Sequence, residues 1–415
     1  FNTIQDLIKE DKIVAGHDVA SGGLITTLLE LCFADTNLGA NLDLTSLGEA
    51  DTIKVLFSEN AGIVLQAKDD SIESIFASKN IEAKKIGTVI NEATLTVRNN
   101  GMEMGLNIET LRDTWFKTSY LLDNQQTEKG LAKDRFENYK VQPLQYNFLN
   151  SAAIILPNRS ETTNGTRPKA AILREKGSNS EREMANAMYL AGFDVKDVHM
   201  TDLISGRENL QDIQFLGAVG GFSNSDVLGS AKGWAGAIKY NEKANTVIKN
   251  FFARPDTLSV GICNGCQLFM ELDLINPEHE SHGKMTYNDS HKHESNFTSV
   301  EIQKNNSVML SSLEGSKLGV WISHGEGKFS LPQSEENYDI VAKYGYEGYP
   351  ANPNGSDFNT AMLCDKTGRH LVTMPHIERS IFPWNWANYP TDRNDEVSPW
   401  LEAFKNAKEW IVNQK

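Results

Sequence analysis

The stretch that decides the fold is Leu258-Ser259-Val260-Gly261-Ile262-Cys263-Asn264-Gly265-Cys266-Gln267. A strand-like apolar run leads directly into a Gly-x-Cys-x-Gly turn, and a helix-like run follows at 267–272. This order is typical of the nucleophile elbow, a strand-turn-helix corner that presents one reactive side chain. Gly261 and Gly265 leave room where strand and helix crowd each other. Because a helix N-terminus favours an anion, the pattern predicts that Cys263 is a nucleophilic thiolate.

Around the elbow, strand-like and helix-like segments alternate from Pro168 onward. Strands are predicted at 170–173, 195–198, 213–219 and 258–262. Ser180 and Glu183 predict a capping box at the start of one helix, which Gly192 ends. Alternation of this kind predicts a parallel, doubly wound α/β sheet. Ligands of such sheets bind at the carboxyl ends of the strands, where Gly220 and Cys263 both fall.

The chain is predicted to have three regions, at 1–105, 106–165 and 166–415. In the first region, 13–15, 55–57 and 63–65 are predicted strands, and Leu24, Leu28 and Leu31 recur at helical spacing. The second region is largely polar, with Asn164-Gly165 near its end, and is predicted to be a partly helical connecting segment. The third region carries the elbow and the predicted parallel sheet.

Composition limits the classes of function. The chain has 415 residues, enough for two or three domains, and a formal net charge of -15, which argues against a general nucleic-acid binder. Four cysteines in so long a chain favour a reducing compartment, so we expect a cytoplasmic protein. No stretch approaches the roughly 20 apolar residues of a membrane span. The chain begins at Phe1 without a signal-peptide pattern, and we expect it to be a piece of a longer protein.

A thiolate nucleophile needs a base and a group that orients the base. Two His-x-Glu pairs are available, His376 with Glu378 and His324 with Glu326. In an extended segment, residues two apart point the same way, so either pair could present imidazole and carboxylate together. Composition does not choose between them. His376 is favoured because it follows a predicted strand end.

The oxyanion hole is expected to use the backbone N–H of Asn264, the residue after the nucleophile. A second donor is expected from a glycine-rich turn on a neighbouring strand, and Gly220-Gly221-Phe222 fits. We also place Gln267 and His324 in the predicted substrate pocket.

Cys263 and Cys266 also form a C-x-x-C pair, which leaves a redox or zinc site as an alternative. Four histidines cluster nearby in a polar stretch that we predict to be a solvated loop, while Cys266 is predicted to pack in the first helical turn. These histidines are His279, His282, His291 and His293.

In the first region, Gly16-His17-Asp18-Val19-Ala20-Ser21-Gly22-Gly23 lies between a predicted strand and a predicted helix. Glycines at a helix N-terminus suit a phosphate, and Asp18 is a candidate ligand for magnesium bound to that phosphate. The alternative is that Ser21 simply caps the helix.

Several motifs together resemble the large, single-chain phosphoribosylformylglycinamidine synthases of purine biosynthesis, whose C-terminal part is a class I glutaminase domain. The resemblance covers essentially the whole chain. The motifs that carry it are Gly261-Ile262-Cys263-Asn264-Gly265-Cys266-Gln267, Gly220-Gly221-Phe222-Ser223, Asp226-Val227-Leu228-Gly229, His324-Gly325-Glu326-Gly327, Tyr349-Pro350-Ala351-Asn352-Pro353-Asn354-Gly355-Ser356 and Met374-Pro375-His376-Ile377-Glu378-Arg379.

The resemblance implies a catalytic triad of Cys263, His376 and Glu378. It implies a flavodoxin-like sheet at 166–415, preceded at 1–105 by the C-terminal part of a synthetase-like module related to aminoimidazole ribonucleotide (AIR) synthase, in which Asp18 would bind magnesium beside a nucleotide. The complete enzyme would use glutamine, formylglycinamide ribonucleotide and ATP with magnesium, mostly at sites outside this chain. The chain alone would hydrolyse glutamine at most. Ala20 and Ser21 depart from the family's usual Ser-Asp at those places, which weakens the nucleotide assignment.

Two rival functions stay open at this point. A cysteine peptidase-like hydrolase could use the same sheet and elbow, although the Met-Pro-His-x-Glu-Arg motif argues against it. A non-enzymatic redox or zinc module built on Cys263 and Cys266 is the other rival.

Overall fold

The computed structural model describes residues 1–34, 37–140, 144–149, 152–157, 167–346 and 348–414. The chain divides into two compact units, Phe1–Leu122 and Asp123–Lys415. Part of the predicted connecting segment, including Asn164-Gly165, lies outside the described residues. Each unit is described separately below.

The first unit combines a two-stranded antiparallel sheet, β1-β3, with a four-stranded sheet in the order β4-β2-β5-β6. Its small core includes Leu42, Leu95 and Val97, which all lie on the four-stranded sheet. The elements are α1 Asn2–Lys9, β1 Ile13–Asp18, α2 Gly23–Phe33, β2 Gly39–Asp43, α3 Thr52–Phe57, β3 Ile63–Ala67, α4 Ser71–Ser78, β4 Gly87–Ile90, β5 Thr94–Asn99, β6 Met102–Asn107 and α5 Ile108–Asp123.

The predicted strand at 55–57 is wrong, because these residues end helix α3. Asp51 caps that helix through its carboxylate, which accepts hydrogen bonds from the N–H groups of Ile53 and Lys54 at 3.0 and 3.3 Å. An aspartate cap satisfies N–H groups that have no partner within the helix. The short apolar run 55–57 suggested a strand only because periodicity cannot separate such runs from buried helix turns. The predicted strands at 13–15 and 63–65 and the helix through Leu28 are confirmed.

The second unit is built on a nine-stranded sheet in the order β13-β12-β15-β16-β17-β10-β9-β7-β8. Its elements are α6 Leu131–Asn138, β7 Lys169–Arg174, α7 Glu181–Ala191, β8 Asp194–His199, α8 Met200–Ser205, β9 Phe215–Ala218, α9 Lys232–Lys239, α10 Glu242–Ala253, β10 Leu258–Ile262, α11 Asn264–Glu271, β11 Lys284–Thr286, β12 Glu294–Ile302, β13 Lys317–His324, β14 Lys328–Ser330, β15 Asp339–Tyr344, β16 Thr360–Cys364, β17 His370–Thr373 and α12 Trp400–Asn413.

Five neighbouring strands of this sheet, β17-β10-β9-β7-β8, are parallel. Numbered along the chain within this part, their order is 2-1-3-4-5, the flavodoxin-like arrangement. The predicted α/β class and parallel sheet are therefore confirmed. Strand β10 is an interior strand between β17 and β9 and is buried along its whole length, as a strand covered on both faces must be. The four antiparallel strands that extend the sheet beyond β17 were not predicted.

The helix predicted after Ser180 is present as α7 and ends at Gly192, but its predicted capping box is absent. Ser180 has a left-handed φ of 71° and its side chain makes no capping hydrogen bond. Its hydroxyl instead accepts a hydrogen bond from the N–H of Gly220 at 3.4 Å. The hydroxyl of Ser180 therefore binds the turn that follows β9 instead of capping its own helix. The predicted strand 213–219 is present in shorter form, as β9.

Among the described residues, no helix combines the length and apolar character that crossing a bilayer requires. The longest helix, α5, has sixteen residues and carries charged side chains along its length.

Candidate active site

The turn between β10 and α11 holds Cys263 in a conformation that few residues adopt. Its φ is 52° and its ψ is -106°, outside the regions that L-residues favour. The backbone N–H of Cys263 donates to the carbonyl of Thr373, at the end of β17, at 2.8 Å. The side chain is buried, and its Sγ lies 3.7 Å from the carbonyl oxygen of Ser323. The predicted elbow is therefore present, with its backbone bonded to the end of the neighbouring strand β17.

Glycine is needed on both sides of the cysteine. A Cβ at Gly265 would lie 2.1 Å from the backbone oxygen of Ala218 on β9, and one at Gly261 would lie 2.5 Å from the carbonyl oxygen of Gly265. Both distances are far below contact between backbone atoms. The Gly-x-Cys-x-Gly pattern thus exists because strand, turn and helix pass too close together for any side chain.

His376 and Glu378 form a buried pair beside the cysteine. The Nδ1 atom of His376 lies 2.7 Å from the Oε1 atom of Glu378, and both side chains are almost fully buried. A Cβ placed on Gly220 would lie 2.8 Å from the Cε1 atom of His376 and 3.4 Å from the Cβ atom of Cys263. The absence of a side chain at Gly220 therefore lets imidazole and thiol approach the same point.

The charges of this pair support one another. Burial lowers the pKa of His376, but the carboxylate of Glu378, the charge of Cys263 and hydrogen bonds to both raise the pKa to about 10. Burial raises the pKa of Glu378, but the charge of His376, their hydrogen bond and nearby Arg379 bring it below its ordinary value. The site therefore favours an imidazolium ion paired with the carboxylate of Glu378 at neutral pH.

The other predicted pair, His324 and Glu326, is not a pair in the structure. Neither ring nitrogen of His324 has a hydrogen-bond partner in the described part of the chain, although the ring is buried. Burial, with the charges of His376 and His293, lowers the pKa of His324 to about 3, so this ring is neutral at pH 7. Glu326 accepts a hydrogen bond from the N–H of Ser230 at 3.2 Å instead. Of these two histidines, His376 is therefore the one that has an orienting carboxylate in the described part of the chain.

The predicted oxyanion turn has only one N–H suited to a substrate. The N–H of Gly220 donates to Ser180, and that of Phe222 donates to the carbonyl of Gly177 at 3.0 Å. The antiparallel bridge that pairs Gly221 with Ser178 is formed by the hydrogen bonds of the residues on either side of Gly221. The N–H of Gly221 itself takes no part in that bridge. On the other side of the cysteine, Asn264 is the first residue of α11, so its N–H has no acceptor within the helix.

The side chains of Asn264 and Gln267 are buried and bonded to each other. The Nδ2 of Asn264 donates to the Oε1 of Gln267 at 3.0 Å, and the Nε2 of Gln267 donates to the carbonyl of Glu326 at 2.7 Å. The Oδ1 of Asn264 accepts from the N–H of Ser223 at 3.2 Å. Both side chains thus hold loops around the elbow in place.

Cys266 faces the core from the first turn of α11 and is fully buried, as predicted. Burial and the charge of Cys263 raise the pKa of its thiol well above the ordinary value. The four clustered histidines do not converge, and no group of three metal-binding side chains occurs within the described residues. His279 is more buried than predicted, while His293 lies 3.0 Å from the hydroxyl of Ser323, beside the elbow.

A cavity of about 650 Å³ opens beside the pair of His376 and Glu378. Its wall includes the aromatic side chains of Trp321, Phe382 and Trp384.

Two family models match this chain. The family model of the CobB/CobQ-like glutamine amidotransferase domain matches residues 167–411, more than half of the chain and all of the elbow and paired residues. The chain belongs to this amidotransferase family. A second family model, the C-terminal domain of AIR synthase related proteins, matches residues 2–99. The family resemblance seen in the sequence is thus confirmed for both parts.

Two curated relatives match 99% of this chain. One is a probable phosphoribosylformylglycinamidine synthase, chloroplastic/mitochondrial, of Arabidopsis thaliana, at 38% identity over 31% of its length. The other is the phosphoribosylformylglycinamidine synthase of Homo sapiens, at 36% identity over 33% of its length. The chain therefore spans about a third of these relatives. Among solved structures, PurLQS from Thermotoga maritima aligns with 60% of this chain and 99% of its own, at 24% identity and a TM-score of 0.47.

The predicted magnesium ligand lies in the first unit of this amidotransferase-containing chain. Asp18 ends β1, and its carboxylate is 75% exposed. Its backbone oxygen accepts a hydrogen bond from Thr27 at 3.0 Å, and the N–H of Gly22 donates to Glu59 at 2.9 Å. Since the described residues contain no three-ligand group, Asp18 alone does not make up a magnesium site.

Asp226 was quoted only as part of a family motif and was not predicted to be a site residue. It lies in a loop of left-handed residues after Phe222 and contacts Ser230, the residue whose N–H binds Glu326. Ser230 and Glu326 are 96 positions apart in the chain, so no single sequence motif could predict that they bind each other.

Proposed function

We propose that the second unit hydrolyses glutamine through a Cys263–His376–Glu378 triad and supplies the ammonia for amide transfer. The observation that carries the proposal is the buried 2.7 Å pair of His376 and Glu378 beside a cysteine on a strained elbow. A carboxylate that fixes an imidazole beside a nucleophile is the arrangement that covalent catalysis requires.

In the proposed reaction, the Sγ of Cys263 attacks the side-chain carbonyl carbon of glutamine and forms a C–S bond. His376 then gives a proton to the leaving nitrogen, the C–N bond breaks, and ammonia leaves a thioester on Cys263. Water, deprotonated by the now neutral His376, attacks the thioester carbon. The C–S bond breaks, glutamate leaves, and the proton restores the imidazolium. Glu378 keeps the ring oriented throughout.

We propose that the N–H groups of Asn264 and Gly221 stabilise the oxyanion that forms when the thiolate attacks. Both flank the cysteine, and both lack an acceptor in the hydrogen bonds described above. A donor of this kind is worth about 100- to 1,000-fold in rate. Gly220 contributes because its lack of a side chain leaves room for the imidazole of His376. Phe222 contributes an exposed ring at the border of the turn.

Gln267 and His324 are proposed to shape the glutamine pocket in different ways. The amide of Gln267 is bonded at both ends, so it acts by holding the loop that contains Glu326. In the described part of the chain, neither ring nitrogen of His324 has a partner. Each such buried group costs about 1–3 kcal/mol unless a ligand or water pairs with it. A polar substrate would relieve that cost.

For the longer protein, we propose the activity that its curated relatives are named for. Ammonia from Cys263 would convert formylglycinamide ribonucleotide to its amidine in an ATP-dependent ligase reaction. The match of both family models in the same chain supports this, as does the 36% to 38% identity to these relatives over 99% of this chain. Four unpaired cysteines support a cytoplasmic location.

The test is covalent labelling of the 415-residue chain with a diazo ketone analogue of glutamine, mapped by peptide mass spectrometry. We expect the label on Cys263, and we expect excess glutamine to slow labelling at least ~10-fold by occupying the same pocket. Cys32, on the first unit, serves as an internal control because it is only half-buried. Labelling of Cys32 in place of Cys263, or labelling that glutamine does not slow, would rule out the proposal.

Magnesium and ATP are proposed to act only in the longer protein. Magnesium held by Asp18 would neutralise phosphate charge there, but one exposed carboxylate does not complete a site. We therefore expect that saturating magnesium and ATP change the melting temperature of this chain by less than ~1 °C, since a ligand stabilises only a state that binds it. A clear upward shift in thermal unfolding that Asp18→Asn removes would contradict this.

A further inference from the structure

Part of the connecting segment packs on the second unit, outside the region that the amidotransferase model matches. That model begins at residue 167, whereas the second unit begins at Asp123 and includes helix α6. The ammonium group of Lys129 lies 2.7 Å from the carboxylate of Asp289, shortly before strand β12. The segment 123–138 is therefore bound to residues of the matched region.

A buried network of charges joins this segment to the start of β12. The guanidinium group of Arg135, on α6, lies 3.1 Å from the carboxylate of Asp123 and 2.9 Å from that of Glu294. The side chains of Asp123 and Glu294 are only 12% and 4% exposed. Lys292 also pairs with Asp123, and the hydroxyl of Tyr349 donates to Glu294 at 3.0 Å. Two cations balance two carboxylates, so loss of one cation leaves a buried carboxylate uncompensated.

The start of β12 is paired with the end of β13 that lies beside the elbow. Glu294 is the first residue of β12 and pairs with His324, the last residue of β13. The carbonyl oxygen of Ser323, the preceding residue, lies 3.7 Å from the Sγ of Cys263. Arg135 therefore binds one strand of a pair whose other strand contacts the nucleophile.

A second connection to the same strand end runs through Asn288, which precedes β12 and is fully buried. Its Nδ2 donates to the carbonyl of His324 at 2.7 Å, and its Oδ1 accepts from the N–H of Gly327 at 3.0 Å. The next residue along the chain is Asp289, to which Lys129 is bound. The segment before β12 is thus held by the connecting segment and itself holds the turn that follows β13.

We propose that Arg135 is a positioning residue of the glutaminase, which through Glu294 fixes the end of β13 beside Cys263. The inference goes beyond the proposed function and rests on it. Without the guanidinium group, Glu294 is a buried carboxylate that regains solvation only by leaving its place. Because β12 and β13 are hydrogen-bonded partners, the strand end beside the thiol would move with it. The segment 123–138 is then a working part of the glutaminase, although it lies outside the matched region.

The experiment measures how fast the diazo ketone analogue of glutamine labels Cys263 in the full 415-residue chain. We expect Arg135→Ala to slow labelling roughly 10- to 100-fold, because a displacement of about 1 Å near a reacting group has an effect of this size. Guanidinium chloride at millimolar concentration should restore the rate at least ~3-fold by occupying the vacated place, and sodium chloride at equal ionic strength should not. Guanidinium destabilises folded proteins, so regained stability would not explain such a rescue.

Lys133→Ala is the matched control, because Lys133 lies on the same helix, is 63% exposed and pairs with Glu137 at the surface. It should label within ~2-fold of the wild-type rate. Arg135→Lys keeps the charge but not the fork of N–H groups. It should slow labelling ~3- to 10-fold, and it carries the test if Arg135→Ala does not fold.

A wild-type labelling rate in both Arg135 variants would overturn the inference. A loss of rate that guanidinium does not restore would also overturn it, since Arg135 would then act on the stability of the fold alone. If the analogue failed to label Cys263 in wild-type protein, the proposed function would be wrong and the inference would fall with it.

Discussion

Cys263→Ala is expected to abolish glutamine hydrolysis, with the ammonia release rate falling at least ~10,000-fold to the limit of detection. Within the described residues, the other thiol near the elbow belongs to Cys266, which is fully buried and cannot take over the attack. Because the side chain is small and lies at a turn, the variant should unfold within ~1 kcal/mol of wild-type protein. Ammonia release and thermal unfolding, measured on the same preparation, check both statements.

Cys266→Ala is the matched control for that variant. This thiol is fully buried on the core side of α11, and burial raises its pKa well above the ordinary value, so it remains a neutral packing group. The variant should retain more than about half of the activity and lose ~1 kcal/mol of stability through the small cavity. If Cys266→Ala removed activity and Cys263→Ala preserved it, the elbow would be assigned to the wrong residue.

The elbow could be predicted because its chemistry is local. A Cβ at Gly261 or Gly265 would lie 2.5 or 2.1 Å from a backbone oxygen, so both positions must be glycine. Such requirements are visible in the sequence because they fall within one short stretch of residues. The alternating strands and helices likewise predicted the parallel part of the sheet. The four antiparallel strands were not predicted. For example, β12 and β13 pair across the long connection 303–316, whereas the sequence signal of a hairpin is a turn of only about two to five residues.

Other features depended on contacts that sequence periodicity does not contain. The helix at 52–57 is decided by the cap from Asp51, and the hydroxyl of Ser180 serves Gly220, forty residues away, rather than its own helix. The choice between the two His-x-Glu pairs is also a tertiary matter. Both have the same spacing, and only packing decides that Glu378 orients a ring while Glu326 binds Ser230. For the same reason the sequence did not single out Asp226.

His376→Ala is expected to cost as much activity as the loss of the nucleophile, because members of such a triad act as a unit. Glu378→Ala should be roughly 10- to 100-fold less severe, since the imidazole stays in place without its orienting partner. His324→Ala serves as a control, because it also removes a buried histidine. It should raise the KM for glutamine or lower stability more than it lowers the rate of thioester formation. Steady-state and single-turnover rates separate these effects. Wild-type rates of thioester formation in His376→Ala would refute the triad.

Glu378→Gln tests the electrostatic part of the same triad. The pKa of His376 stands at about 10 because the carboxylate of Glu378 and the charge of Cys263 outweigh burial. A group with a raised pKa stabilises the fold fully below its unfolded value of 6.5, and that contribution is lost as the pH rises through about 10. Without the carboxylate, the pKa of His376 should fall towards 6.5 or below, because burial then opposes only one charge. NMR titration of the imidazole measures this directly. An unchanged titration near pH 10 in Glu378→Gln would mean that Cys263 alone holds the proton on His376, and that Glu378 acts on orientation only.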